Sequence, residues 1–279
     1  MLVHMPARRV GIIGCGTIGS QLAIAVDTGA VRNASLASLF DVVQNSAQAL
    51  KQKLRTSPPA FSDFDDFMKT DCDIIVEAAS QEAAKKFAAK VLRAGKDVMV
   101  MSVGALADKA LLAEVLKEAE KSGRRLYVPT GAIAGIDAIR AVRHLLDSVT
   151  LTTTKSPKAL AGAPFFETSK VKLDEVKERT TIYEGTAADA VRAFPANVNV
   201  AAVLSLAGIG VDRTMVRIIA DPAFTTNQHE ITAKGSFGEF RFTVNNVPSP
   251  GNPKTSYLAV LSAIECLRSV CDDGMRIGS

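Results

Sequence analysis

Five short runs in the first half of the chain are apolar almost without interruption: "VGII" from Val10, "SLASLF" up to Phe40, "CDIIVEAAS", "KDVMVMSVGA" and "RRLYVPTGA". Between the later ones lie stretches with helical period, "QEAAKKFAAKVLRAG" and "DKALLAEVLKEAEKSG", closed by Gly95 and Gly123. Strands without a polar face are covered on both sides, and glycine ends a helix because it accepts a left-handed backbone. The pattern therefore predicts an α/β domain with a doubly wound parallel sheet over residues 1–136. "RTSPPAFSDFDDF" is the least regular part and reads as a loop with a short helix.

After "AGIDAIRAVRHLL", a helix, the period changes. "SVTLTTTKS", "RTTIYEG", "RTMVRIIAD", "QHEITAKGS" and "EFRFTVN" alternate like strands, with helical "TAADAVRAF" and "NVAAVLSLAG" among them. Alternating strands at short spacing predict a second, α+β domain over 137–252 with a largely antiparallel sheet. The last segment, "NPKTSYLAVLSAIECLRSV", predicts a helix from residue 253, with Asn252 as cap and Pro253 at its first position, packing back on the first domain.

The turn after the first strand carries chemistry. In "GCGTIG", Gly14 permits a tight turn, Gly16 lets backbone approach a pyrophosphate, and Gly19 lets helix pack close to strand. Thr17 and Ile18 begin the helix whose free N–H groups favour the phosphates. Asp41 ends the second strand, where a carboxylate accepts hydrogen bonds from an adenosine ribose. Val42, Val43 and Gln44 follow it and offer no arginine for a 2′-phosphate, so NAD is expected ahead of NADP. The strand ends "EAAS", with Ala79 and Ser80, "SVGA" and "TGAIAG" are built of small residues, leaving room for the nicotinamide half at the carboxyl edge of such a Rossmann sheet.

Composition narrows the field. The 279 residues are 47% hydrophobic, ample for a core, and a net charge of +4 suits a small anionic substrate. Lys and Arg are scattered, Trp is absent and Tyr occurs three times, which argues against nucleic acid. Cys15, Cys72, Cys266 and Cys271 show no CxxC or metal-ligand spacing, so free thiols in a reducing cytoplasm and no metal site are expected. The longest apolar run, Val200 to Val211, is shorter than the roughly 20 residues of a membrane span. Arg8 and Arg9 before an apolar run imitate an export signal, but the run reads better as the first strand.

Of the three histidines, His4 lies near the start and His144 on a predicted helix. His229 shares one face of a strand with Ile231 and Ala233, which by itself is the pattern of a core residue.

Taken together, "GCGTIG", "VEAASQ", "SVGALAD", "GAIAGIDAI", "NVNVAA", "HEI", "GEF" and "NPKTSYLA", in this order from residue 10 to about 260, resemble the L-aspartate dehydrogenases. The resemblance implies NAD(P)-dependent oxidative deamination of L-aspartate to iminosuccinate, which hydrolyses to oxaloacetate and ammonia or enters NAD biosynthesis. It also implies a homodimer, a catalytic role for His229, and Asn199 and Ala132 against the nicotinamide. The chemistry asks for such an imidazole independently, because the amine must lose a proton before hydride leaves Cα and the imine needs an activated water.

A dicarboxylate needs cationic or N–H donors. Lys254, Thr255 and Ser256, at the predicted start of the last helix, are one candidate group, and Lys155 in "TTTKS" is another. Other two-domain oxidoreductases, such as homoserine dehydrogenase or dihydrodipicolinate reductase, would want a lysine near the ends of the later strands; "SVGALAD" has none. A non-catalytic NAD sensor would need no residue like His229.

Overall fold

A computed structural model describes residues 6–195 and 199–272, with the side chains of residues 253 and 254 left aside. The chain divides into two units. One runs to Pro129 and takes in the chain again from Val260; the other runs from Thr130 to Ala259.

The first unit is built on β1 (Arg8–Ile13), β2 (Ala34–Phe40), β3 (Ala60–Phe61), β4 (Ile74–Glu77), β5 (Asp97–Val100) and β6 (Leu126–Tyr127). All adjacent pairs are parallel, in the order β3-β2-β1-β4-β5-β6. This is the doubly wound Rossmann order, and it reverses direction between β1 and β4. Every residue of β4 and β5 is buried, as an apolar run covered on both faces requires.

The helices are set locally. Ser80 accepts a hydrogen bond from the Ala83 N–H to start helix 81–93, and Asp108 accepts two to start helix 109–122, each cap contributing about 1 kcal/mol. Gly123 stops the latter with φ +64°. Helix 81–93 buries Ala84, Phe87, Ala88, Val91 and Leu92, a stripe at helical spacing; truncating the fully buried Leu92 to alanine costs about 2–5 kcal/mol. Phe87 stacks on Phe64 at 4.0 Å and meets Phe40 edge-on at 5.6 Å, which anchors the irregular segment before β4. At the amino edge Arg8 pairs with Asp97 and Arg9 with Asp73.

Two runs expected to be longer strands are shorter. β5 stops at Val100 because 103–107 coils into a 3-10 turn whose Val103, Gly104, Ala105 and Leu106 are all buried. β6 keeps only Leu126 and Tyr127, at the sheet edge.

The second unit holds β7 (Leu146–Lys155), β8 (Thr180–Thr186), β9 (Thr214–Ala220), β10 (Asn227–Gly235) and β11 (Gly238–Asn246), in the order β11-β10-β7-β9-β8. The pairing is antiparallel except between β7 and β9, which run parallel. One face buries Val149, Leu151, Val216, Ile218, Ile231 and Ala233. Helix 199–207, buried along Val200 to Ser205, contacts β9 and the helices at 136–141 and 187–193.

The end of the chain corrects the expected helix start. Residues 252–256 form β13 (Asn252–Ser256), paired antiparallel with β12 (Pro248–Ser249), and the helix opens only at Tyr257. The fixed φ of Pro253 suits an extended edge as well as a first helical turn, and a proline disfavours helix in the residue before it. Farther on, Ala263, Leu267 and Cys271 join the first unit's core with Val10, Leu22 and Leu39.

Candidate active site

Where β1 and β4 end, the first unit folds into a tight glycine turn against backbone. Gly14 turns with φ +94°, and a Cβ there would stand 2.8 Å from the Ala78 carbonyl and the Ala79 Cα, so both conformation and space demand glycine. A Cβ on Gly19 would fall 1.8 Å from the Gly14 carbonyl oxygen, so the helix Thr17–Asp27 rests backbone to backbone on that turn. Gly16 precedes the helix with nothing within 4 Å of where its Cβ would be. Thr17 and Ile18 form a first turn with no acidic residue and no side-chain cap on its N–H groups. An open, electropositive helix end beside a bare backbone wall fits a pyrophosphate.

Asp41 follows β2 and bridges to this turn: its Oδ2 accepts from the Cys15 N–H at 2.8 Å and its Oδ1 from the Val43 N–H at 2.9 Å. Each oxygen retains a lone pair for ribose hydroxyls. Val42 and Val43 beyond it are exposed. Burial and the Asp41 charge push the Cys15 thiol up to about 12, so it stays neutral.

Ala79 and Ser80 are exposed just past β4, and the Ser80 hydroxyl serves as the cap of the following helix. Glu77, which the sequence reading passed over, organises this edge. It is 1% exposed; Oε1 accepts from the N–H groups of Ala79 and Ser80 and from the Ser102 hydroxyl, and Oε2 from the Ser102 N–H. Burial, the largest influence, raises its pKa above the ordinary carboxylate value while these four donors pull against it, and both oxygens serve as acceptors. A lone carboxylate ending the buried run "IIVE" was the available signal.

In the second unit, β10 carries His229 between β7 and β11, opposite Thr153 and Val244. The imidazole is 3% exposed, and its Nδ1 is 2.9 Å from the Thr153 hydroxyl, which fixes the ring. Burial, reinforced by the Lys155 charge, holds it down to about 3, so at neutral pH it is an uncharged base. Lys155 ends β7 on the same side as Thr153; burial lowers its ammonium to about 8. A cation and a neutral base thus share one buried face.

Asn227 and Asn246 pair directly across β10 and β11 and are buried, with the Asn246 Nδ2 donating to the Ala132 carbonyl at 3.0 Å. The sequence reading missed both, although Asn227 has the strand parity of His229. Ala132 is buried in the loop after Thr130. Asn199 opens helix 199–207 and is exposed.

The last helix does not open at the residues expected to hold a substrate carboxylate. The Lys254 side chain lies outside those described, while Thr255 and Ser256 belong to β13, in a ribbon separate from the five-stranded sheet. The Tyr257 N–H that opens the helix already donates to the Val247 carbonyl. His144 is exposed and its ring accepts from Arg143, and His4 lies outside the described residues. Among the described residues no three His, Cys, Asp or Glu side chains gather as metal ligands, and no helix is long and apolar enough to cross a membrane.

The family model for the aspartate dehydrogenase C-terminal region matches residues 137–270, and that for the homoserine dehydrogenase NAD-binding domain matches residues 14–129. The L-aspartate dehydrogenase of Nitrosopumilus maritimus is 45% identical over 98% of this chain and 100% of its own. The chain belongs to the aspartate dehydrogenase family. A second family member, from Methanosarcina mazei, is 48% identical over 94% of this chain and 96% of its own. The crystal structure of aspartate dehydrogenase from Thermotoga maritima superposes with a TM-score of 0.76 at 26% identity, covering 96% of this chain and 99% of that one. The homoserine dehydrogenase likeness of the first half is a likeness of the nucleotide-binding module; the second half, where His229 and Lys155 sit, matches the aspartate dehydrogenases.

Proposed function

We propose that the chain catalyses NAD(P)-dependent oxidative deamination of L-aspartate, and that His229 is its base. The observation that carries the reading is the buried neutral imidazole of His229 on the same face as the buried Lys155 ammonium. The substrate carboxylate bound by Lys155 offsets the positive charge that helps hold the imidazole down in the ligand-free protein; with its proton affinity raised in this way, His229 takes a proton from the α-ammonium, leaving the free amine whose lone pair drives hydride from Cα. NAD, when bound, supplies the two-electron acceptor for that hydride. L-Aspartate thereby becomes iminosuccinate, and the same imidazole, once its proton is released, activates the water that hydrolyses the imine to oxaloacetate and ammonia.

Gly14, Gly16, Thr17, Ile18 and Gly19 hold the pyrophosphate, Asp41 the adenosine ribose, and Ala79 and Ser80 line the same edge. Asp41, followed by Val42, Val43 and Gln44 rather than an arginine, favours NAD over NADP. Ala132 and Asn199 serve the nicotinamide, as the family resemblance implies. The protein acts as a homodimer, a reading carried by that resemblance alone and checked by sedimentation. Four free cysteines fit a reducing, cytoplasmic setting. The test is NADH formation with L-aspartate beside L-glutamate, L-homoserine and L-malate. Turnover with aspartate alone is expected, and NAD binding without any turnover would replace this reading with that of a sensor.

A further inference from the structure

Asn246, buried on the face that carries His229, has one hydrogen-bonding atom left without a partner among the described residues. It is 2% exposed, and its Nδ2 donates to the Ala132 carbonyl at 3.0 Å. That bond settles which way the amide lies, since an oxygen there would face another oxygen. Its Oδ1, on the other side of the planar amide, has no partner among the described residues. A buried acceptor without a donor is costly and stands out against the rule that buried polar groups are paired.

The strand register says where this acceptor sits. Asn246 is opposite Asn227, two residues along β10 from His229, which is opposite Val244. Asn246 and His229 are therefore diagonal neighbours on one buried face, a relation that places Cα atoms about 7–8 Å apart. A ligand donor between them would meet a base on one side and a carbonyl acceptor on the other.

We infer that the Asn246 Oδ1 accepts a hydrogen bond from an N–H donor of the bound reactants, making Asn246 a specificity-determining residue of the His229 site. This rests on the function proposed above. Two sources present such a donor: the α-amino group of the substrate and the carboxamide of the nicotinamide. In either case Nδ2, by holding Ala132, keeps Oδ1 turned to the ligand.

The test compares wild type, Asn246→Leu and Asn246→Asp by calorimetric titration, first with NADH and then, on the NADH-saturated enzyme, with L-aspartate and with succinate, which lacks the amine. If the amine is the donor, Asn246→Leu loses the preference for aspartate over succinate by roughly tenfold or more while NADH affinity holds. If the carboxamide is the donor, NADH affinity falls by a similar factor and the aspartate-to-succinate ratio is unchanged. Asn246→Asp keeps an acceptor but sets an oxygen against the Ala132 carbonyl in place of the Nδ2 donor, so it recovers only part of whichever property the leucine variant loses. Unchanged affinities, or all three ligands weakened in proportion, overturn the inference and leave Asn246 as a support for Ala132. Should the leucine variant not fold, Asn246→Ala adds no bulk and carries the same comparison. Wild-type turnover of aspartate, recorded on the same preparation, separates failure of this inference from failure of the proposed function.

Discussion

Acid titration of His229 can be read as stability. The imidazole is free to protonate near 6.5 in the unfolded chain but is held down to about 3 when folded, by burial first and the Lys155 charge second. Above about pH 6.5 both states are neutral and the group contributes no pH dependence; as pH falls toward 3 the unfolded chain binds a proton that the folded one refuses, and stability is lost. Lys155, lowered to about 8, is charged in both states across this window and adds no slope. Each pH unit is worth about 1.4 kcal/mol, so between about pH 6.5 and 4.5 the histidine removes about 3 kcal/mol. His229→Gln keeps a group able to bond Thr153 and has no such titration. Urea unfolding followed by circular dichroism, for both proteins at about pH 7 and 4.5, cancels the carboxylates they share. Wild type is expected to lose about 3 kcal/mol more than the variant. Parallel losses would mean that the imidazole is solvated or charged in the folded protein, and the neutral base would be refuted.

Other expectations follow from the first unit. Gly19→Ala drives a methyl into the Gly14 carbonyl oxygen and should weaken NAD binding at least tenfold by fluorescence titration; wild-type affinity would show that the turn is not the cradle. Glu77→Gln aims an amide donor at a cluster of donors, so thermal stability should fall by about 1–3 kcal/mol and the Kd for NAD rise, whereas an unchanged Kd would detach Glu77 from the cofactor edge. Asp41→Ala removes the carboxylate that disfavours a 2′-phosphate, and the NAD-to-NADP ratio of kcat/KM should drop by roughly tenfold; a constant ratio would place the ribose elsewhere.

How much of this was legible beforehand depends on how local each signal is. The parallel sheet and its glycine turn are written in contiguous runs, because apolar strands and capped amphipathic helices declare themselves within a dozen or so residues. The position of Asp41, directly after β2, was legible for the same reason. The His229 site is not local: it joins Thr153, Lys155, Asn227 and Asn246 through strand register, and no periodicity predicts that β7 and β9 run parallel while their neighbours do not. Glu77 was missed because a carboxylate at a strand end is ordinary until Ser102, 25 residues on, is found donating to it twice. The start of the last helix was misread because "NP" is both a cap signal and an edge-strand signal, and the pairing with Pro248 and Ser249 decides between them.

The most direct test of the account is steady-state oxidation of L-aspartate by wild type and His229→Ala, with NAD affinity measured on both. Loss of a general base is expected to lower kcat by about a hundredfold or more while NAD binds as before. Turnover retained within a few-fold in the variant would contradict the claim that the buried neutral imidazole of His229 moves the proton.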